Sequence, residues 1–151
     1  MDPLGRPMAD WWQRLLAFLV DLLVLAFPDV IIFSVVGGSA VSNGVTSPTS
    51  LSPAVWKAFG VALVVTLGYF SFLDGGRSGQ TVGKMALGIA VRDSDTGGPV
   101  GAGRGLLRRF FFFATYFGFI LFFLNALSPL WDPRRRGWHD KLARTCVVNI
   151  R

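Results

Sequence analysis

The chain contains no glutamate: all nine of its acidic residues are aspartate, an absence without a physical account. It has one cysteine, Cys146, and one histidine, His139. A single cysteine excludes an intrachain disulfide and leaves the redox compartment open. With so few Cys and His residues there is no cluster of metal-site spacing, and neither a metal nor another cofactor is expected. No serine or cysteine nucleophile has a base at hand beyond His139, so an enzyme is not expected. Charge is also scarce, at 16% of residues, where soluble domains average about 25%. The segment 37–53, GGSAVSNGVTSPTSLSP, carries none at all.

Hydrophobic residues, by contrast, make up 52% of the 151 positions, and the net charge is +6. That length fits one domain, residues 1–151. The basic residues flank apolar runs, a placement that suits anionic lipid headgroups better than nucleic acid, and no nucleic-acid partner is expected. The expected fold class is an all-α membrane protein in the inner or plasma membrane. It has two full transmembrane helices, near 14–36 and 54–73, and a third hydrophobic run at 106–130.

The first run, Trp11–Val36, is long enough to cross a bilayer core, which needs about 20 apolar residues. It is read as a retained helix rather than a cleaved signal, since it carries Asp21 and no small-residue cleavage site. Residues 1–10, with Pro3, Gly5 and Pro7, are expected to fray or lie on the surface. Arg14 and Asp21 share a helical face, about two turns or roughly 10.5 Å apart. Both side chains lean towards the helix N-terminus, so Arg14 points outward and does not pair with Asp21. Pro28 predicts a kink or an end to the helix, leaving Asp29 near the far boundary.

Arg77, Lys84, Arg92 and Arg104 place the loop 74–105 on the cytoplasmic side by the positive-inside rule, and with it the N-terminus. Within that loop, Val82, Met85, Ala86 and Ile89 are spaced for a short amphipathic helix on the membrane, which Gly88 ends. A strand at 89–92 and a turn at SDTGGP follow. A single crossing by 106–130 would put the basic segment 131–151 outside, against the rule that orients the rest. About 25 residues are few for two crossings. A re-entrant or short helical hairpin, broken around 115–118 or 125–129, is therefore preferred to a single crossing. It keeps the C-terminus cytoplasmic and lets 145–149 pair with 89–92 as a two-stranded sheet.

GQTVGK at 79–84 fails as a phosphate-binding loop: Ser78 stands where the first glycine belongs, and Met85 where a metal-binding hydroxyl is needed. Gly101, Gly103 and Gly105 do not have dinucleotide spacing. Four ordered blocks do carry a signal: RLLAFLVD from Arg14 to Asp21, SGQTVGKMALGIAVRD, the pair Arg108 and Arg109, and RRRGWHDKLARTCVV. Together they resemble the RDD family of small bacterial membrane proteins over nearly the whole chain. That family is named for one arginine and two aspartates. The resemblance implies that Arg14 is the arginine and Asp21 the first aspartate. Asp140 is assigned as the second, with Asp29 and Asp132 as alternatives. It further implies a transport role, with sodium/proton antiport proposed for some members.

Two functions follow as expectations. The first is a small, oligomeric transporter exchanging a cation for a proton at Asp21, with Arg108 or Arg109 as the charge beside it. The second is a non-transporting scaffold or accessory subunit, whose charges fix the fold and bind lipids or a partner membrane protein. Arg14 is expected to hold Asp140 or Asp74 at the cytoplasmic boundary. His139 beside Asp140 is a possible relay but reads more simply as a solvated residue. Arg134, Arg135 and Arg136 are expected to meet anionic headgroups, at about 1 kcal/mol each. Cys146 reads as a strand residue without special chemistry.

Overall fold

The computed structural model describes residues 1–37, 53–116 and 118–150. The uncharged loop expected at 37–53 lies, apart from its two ends, outside the described residues. The chain forms two compact units: Met1–Asp21 with Leu67–Arg151, and Leu22–Thr66. Helices α1 (Trp11–Ile32) and α2 (Pro53–Gly75) contribute to both.

In the smaller unit, Leu25, Ala58 and Ala62 are buried, and Phe33 meets Phe59 edge-on at 5.0 Å between ring centroids. Alanine at such positions lets helix backbones come close. Other apolar side chains stay open: Leu23, Phe27 and Val64 are 75%, 74% and 70% exposed. Helix α1 does not end at Pro28. It runs through that residue to Ile32 and closes in a π-helical turn, Phe33–Gly37. Proline deletes only its own bond to the preceding turn, and the remaining ladder carries the helix past it. Asp29, half-buried, keeps one carboxylate oxygen without a partner among the described residues.

The larger unit holds a two-stranded antiparallel sheet. Strand β1 (Ile89–Asp93) pairs with β2 (Thr145–Asn149), with Val91 opposite Val147. These strands fall where the sequence places them, β1 extending one residue further. Ile89, Val91 and Val147 join Ala9, Ala17 and Val100 in its core. Ala9 corrects the expectation that residues 1–10 fray. Met8 bridges Val148, and the Ala9 N–H donates to the Val147 carbonyl at 2.9 Å. The free edge of β2 offers unpaired backbone groups, which the N-terminal segment satisfies. Asp2, buried, accepts from Arg6 Nε at 2.8 Å and fixes the turn before it.

Helix α3 (Val82–Leu87) starts at the N-cap Thr81 and stops at Gly88, whose φ of 65° is left-handed. Val82 and Met85 face outward and Lys84 inward, but Ile89, expected on the outer face, is buried in the sheet core. The third hydrophobic run is two helices, α4 (Ala102–Tyr116) and α5 (Phe119–Leu127), with Gly118 in extended backbone between them. Helix α5 packs back on α4: Phe112 meets Phe122 at 5.4 Å, and Asn125 Nδ2 donates to Thr115 Oγ1 at 3.2 Å. A 3-10 turn (Ser128–Leu130) and helix α6 (Trp138–Leu142) follow.

Helix α4 begins four residues before 106, so positions 102–105 belong to it and not to the preceding loop. Glycine makes this possible. The Gly101 N–H donates to the Gly75 carbonyl at 3.0 Å, and a Cβ on Gly105 would lie 2.8 Å from the Ser71 carbonyl oxygen. The end of α2 and the start of α4 thus touch backbone to backbone, which sets Arg108 and Arg109 one turn further along beside Asp74.

Gly105→Ala is expected to cost about 1–3 kcal/mol through overpacking. Gly103→Ala meets open space and is expected to be neutral or to stabilise by up to about 1 kcal/mol. Thermal unfolding of the two variants in mild detergent checks the contrast.

Candidate functional site

Two buried aspartates gather the cations of the larger unit. Asp74, at the end of α2, accepts from Arg108 NH1 at 2.8 Å and Arg109 NH2 at 3.3 Å, and pairs with Lys84 of α3. Asp140, on α6, accepts from Arg108 Nε at 2.6 Å and from Arg14 NH1 at 2.9 Å. Arg108 therefore bonds both carboxylates through different nitrogens, a geometry open to a guanidinium but not to an ammonium. The network joins α1, α2, α3, α4 and α6. Asp140 is fully buried and Arg108 is 6% exposed.

The sequence expectation for Arg14 holds in its direction: it reaches Asp140 and not Asp21. Burial by itself raises the Asp140 carboxyl, but the cations around it, Arg108 foremost, more than offset this and hold it well below the usual carboxylate range. The Gly137 N–H, at the start of α6, adds a bond to Asp140 at 3.2 Å. Arg109 also lies over the Phe70 ring, 3.4 Å from its centroid, so the aromatic face shares its charge.

Asp21 is arranged differently, and its expected partner is corrected. No bond from Arg108 or Arg109 reaches it among the described residues. It accepts from the Tyr69 hydroxyl at 2.9 Å, the Thr81 hydroxyl at 2.6 Å and the Gly83 N–H at 2.8 Å. All three donors are neutral. The stretch GQTVGK thereby gains a role other than phosphate binding. Thr81 caps α3, and Gly83 leaves room for the Ala17 carbonyl, which a Cβ would overlap. Lys84, the next residue, turns to Asp74. A carboxylate at the start of α3 is also favoured by the unpaired N–H groups there.

His139 is half-buried rather than solvated. Its Nδ1 lies 2.8 Å from Asn125 Oδ1 and its Nε2 3.5 Å from Asp140 Oδ1, with Phe112 edge-on at 5.2 Å. Burial pushes the imidazole down to about 3. Arg135 and Arg136 have partners inside the chain: Arg135 pairs with Asp10, and the Arg136 guanidinium lies 3.7 Å from Asp132, which also accepts the Arg136 backbone N–H at 2.9 Å. Arg134 lines a small surface cavity with Asp2 and Ser94. Cys146 lies buried in β2, where burial raises its thiol to about 11 and leaves it inert.

A cavity of about 500 Å³ opens against this network. Arg14, Asp21, Lys84, Arg108, Arg109 and His139 contribute to its wall, and the remainder is almost wholly apolar. Among the described residues no group of three or more His, Cys or Asp side chains could hold a metal ion.

Residues 8–144 match the model of the RDD family, and the chain belongs to that family. It is similar to "Uncharacterized protein YxaI" of Bacillus subtilis, 25% identical over 150 residues, which covers 93% of this chain and 96% of that protein. It is also similar to "Proline-rich antigen homolog" of Mycobacterium tuberculosis, 35% identical over 75 residues, 50% of this chain and 30% of that protein. A third relative, "Proline-rich antigen" of Mycobacterium leprae, is 27% identical over 106 residues, 70% of this chain and 41% of that protein. The chain spans less than half the length of these two mycobacterial relatives. No solved structure matches it.

Sequence reasoning missed Tyr69, Thr81, Gly83 and Asn125 as parts of the site. A signal existed for two of them: Thr81 stands where an N-cap belongs, and Asn125 is an amide inside an apolar run. Tyr69 and Gly83 could be found only once the helices were placed.

Because the folded-state value of His139 lies below its ordinary 6.5, its contribution is present above that pH and is lost as pH falls towards 3. Unfolding midpoints measured from pH 7 to 4 are expected to fall in the wild type and to stay flatter in His139→Gln. An equal fall in both would place the loss elsewhere.

Proposed function

We propose that the chain is an integral membrane protein that crosses the bilayer with α1 and α2 and keeps both ends on the cytoplasmic side. In this reading it acts as a non-transporting scaffold or accessory subunit, without enzyme activity. Two helices, Trp11–Val36 and Pro53–Gly75, are long and apolar enough to cross a membrane. Their exposed leucines, valines and phenylalanines suit an apolar surrounding. At 9 residues, α5 spans about 13.5 Å, well short of the roughly 30 Å hydrocarbon core, which favours a shallow hairpin over two crossings. The bonds between residues 7–9 and β2 support the reading that both ends lie on one side.

The observation that carries the scaffold reading is the saturation of the buried carboxylates. Asp21, Asp74 and Asp140 each accept at least three bonds from within the chain. A cation entering the site would have to displace those donors and approach three buried cations, Lys84, Arg108 and Arg109, and the half-buried Arg14. The wall fits charges that fix a fold and that meet lipid or a partner membrane protein, a second copy of the chain included.

One observation favours the second reading, cation/proton exchange. Asp21 alone of the three lines the cavity, and its bonded partners are all neutral. Flux of sodium and of protons into proteoliposomes separates the two. No flux above empty vesicles is expected under either gradient. Coupled flux in the wild type that disappears in a folded Asp21→Asn variant would overturn the scaffold reading and establish exchange.

A further inference from the structure

We infer that the cavity beside the ion-pair network is a binding site for an anionic amphiphile, an acyl chain carrying a carboxylate or phosphate head. The inference deepens the membrane reading above and rests on it. The acyl chain is received by an apolar wall: Trp11, Leu15 and Phe18 of α1 face Phe112 of α4 and Phe122 and Leu127 of α5. A volume of about 500 Å³ lies within the ~300–1,000 Å³ usual for small-molecule sites, which are likewise mostly apolar with a few polar groups.

The cavity also carries cations in its wall. Arg14, Lys84, Arg108 and Arg109 line it, against Asp21 in the same wall and Asp74 and Asp140 bonded behind it. Four cations against three carboxylates leave one positive charge without a counter-ion in a low-dielectric setting. Hydrogen-bonding capacity is left over as well. Arg14 Nε is buried and has no partner among the described residues. The one side-chain hydrogen bond of Arg109 among those residues goes to Asp74, at 3.3 Å, whereas a guanidinium carries five N–H donors. An anionic head would neutralise the surplus charge and accept from both arginines. A zwitterionic head would bring a second cation to a site that already has too many.

Such a head could belong to a phospholipid of the bilayer or to a free fatty acid. The test uses the full chain in phosphatidylcholine nanodiscs doped with one probe at a time: bromine-labelled phosphatidylglycerol, phosphatidylcholine or palmitic acid. Bromine quenches tryptophan on contact, and the signal assigned to Trp11 is the wild-type quenching that Trp11→Phe removes. Quenching by an anionic probe at mole fractions where labelled phosphatidylcholine has no effect is the expected result. The phosphatidylglycerol arm reports a bilayer lipid, and the palmitic acid arm a free acid. Ala126→Phe, which fills the apolar wall and leaves every ion pair in place, should abolish the effect. Arg109→Gln should weaken it about tenfold, the loss of one charged hydrogen bond.

Equal quenching by zwitterionic and anionic probes, or selective quenching that survives Ala126→Phe, overturns the assignment. Incorporation is read separately by co-elution with the nanodisc. Failure to incorporate would overturn the membrane reading and this assignment together; incorporation without selective quenching overturns the assignment alone.

Discussion

Arg108 bonds two buried carboxylates at once, and the placement of the other charged side chains follows from that. Asp74 and Asp140 lie far apart in sequence, on α2 and α6, and each would be strongly disfavoured away from water without a cation. A guanidinium between them satisfies both with separate nitrogens, at 2.8 Å and 2.6 Å. Lys84 and Arg14 then take the other oxygens, Oδ1 of Asp74 and Oδ2 of Asp140, while Arg109 shares Asp74 Oδ2 with Arg108. A buried ion cluster of this kind contributes little net stability compared with apolar packing, but breaking it from one side is costly. Its effect is to fix which elements meet. Helices that present mostly leucine, valine and phenylalanine have few other means of selecting one arrangement.

Asp21 sits on the same unit as this cluster yet belongs to a different environment. Its three neutral donors come from α2 and from the start of α3, so it holds that short helix against α1. Gly83 is what allows the approach, since any side chain there would run into the Ala17 carbonyl. The family's two aspartates, on this assignment, do separate things: Asp140 answers Arg14 through charge, and Asp21 answers a helix start through neutral hydrogen bonds.

Much of this fold is legible in the sequence because it follows from local rules. The short segments 89–92 and 145–149 give the two strands, and the third hydrophobic run divides at the first of its two expected break regions, 115–118. The tilt of side chains along a helix is enough to separate Arg14 from Asp21, since it depends only on their positions within one element. What is not legible depends on long-range approach. The pairing of Asp21 with Thr81 and Gly83 rests on neutral and backbone donors, which leave no charge pattern to match. His139 reads as solvated because a histidine beside aspartate in a basic segment is usually exposed. It is instead half-buried and bonded to Asn125, fourteen positions earlier, on another helix. The first ten residues have the composition of a frayed end, and only the open edge of β2 orders them.

The bridging role of Arg108 is tested most directly by a double-mutant cycle on its two partners, Asp74→Asn and Asp140→Asn, singly and together. Denaturant unfolding in mild detergent gives the free energies. If one guanidinium links the two carboxylates, the cycle should show a coupling energy of about 1–3 kcal/mol. Additivity within about 0.5 kcal/mol would mean that the two aspartates act independently, and would contradict the account.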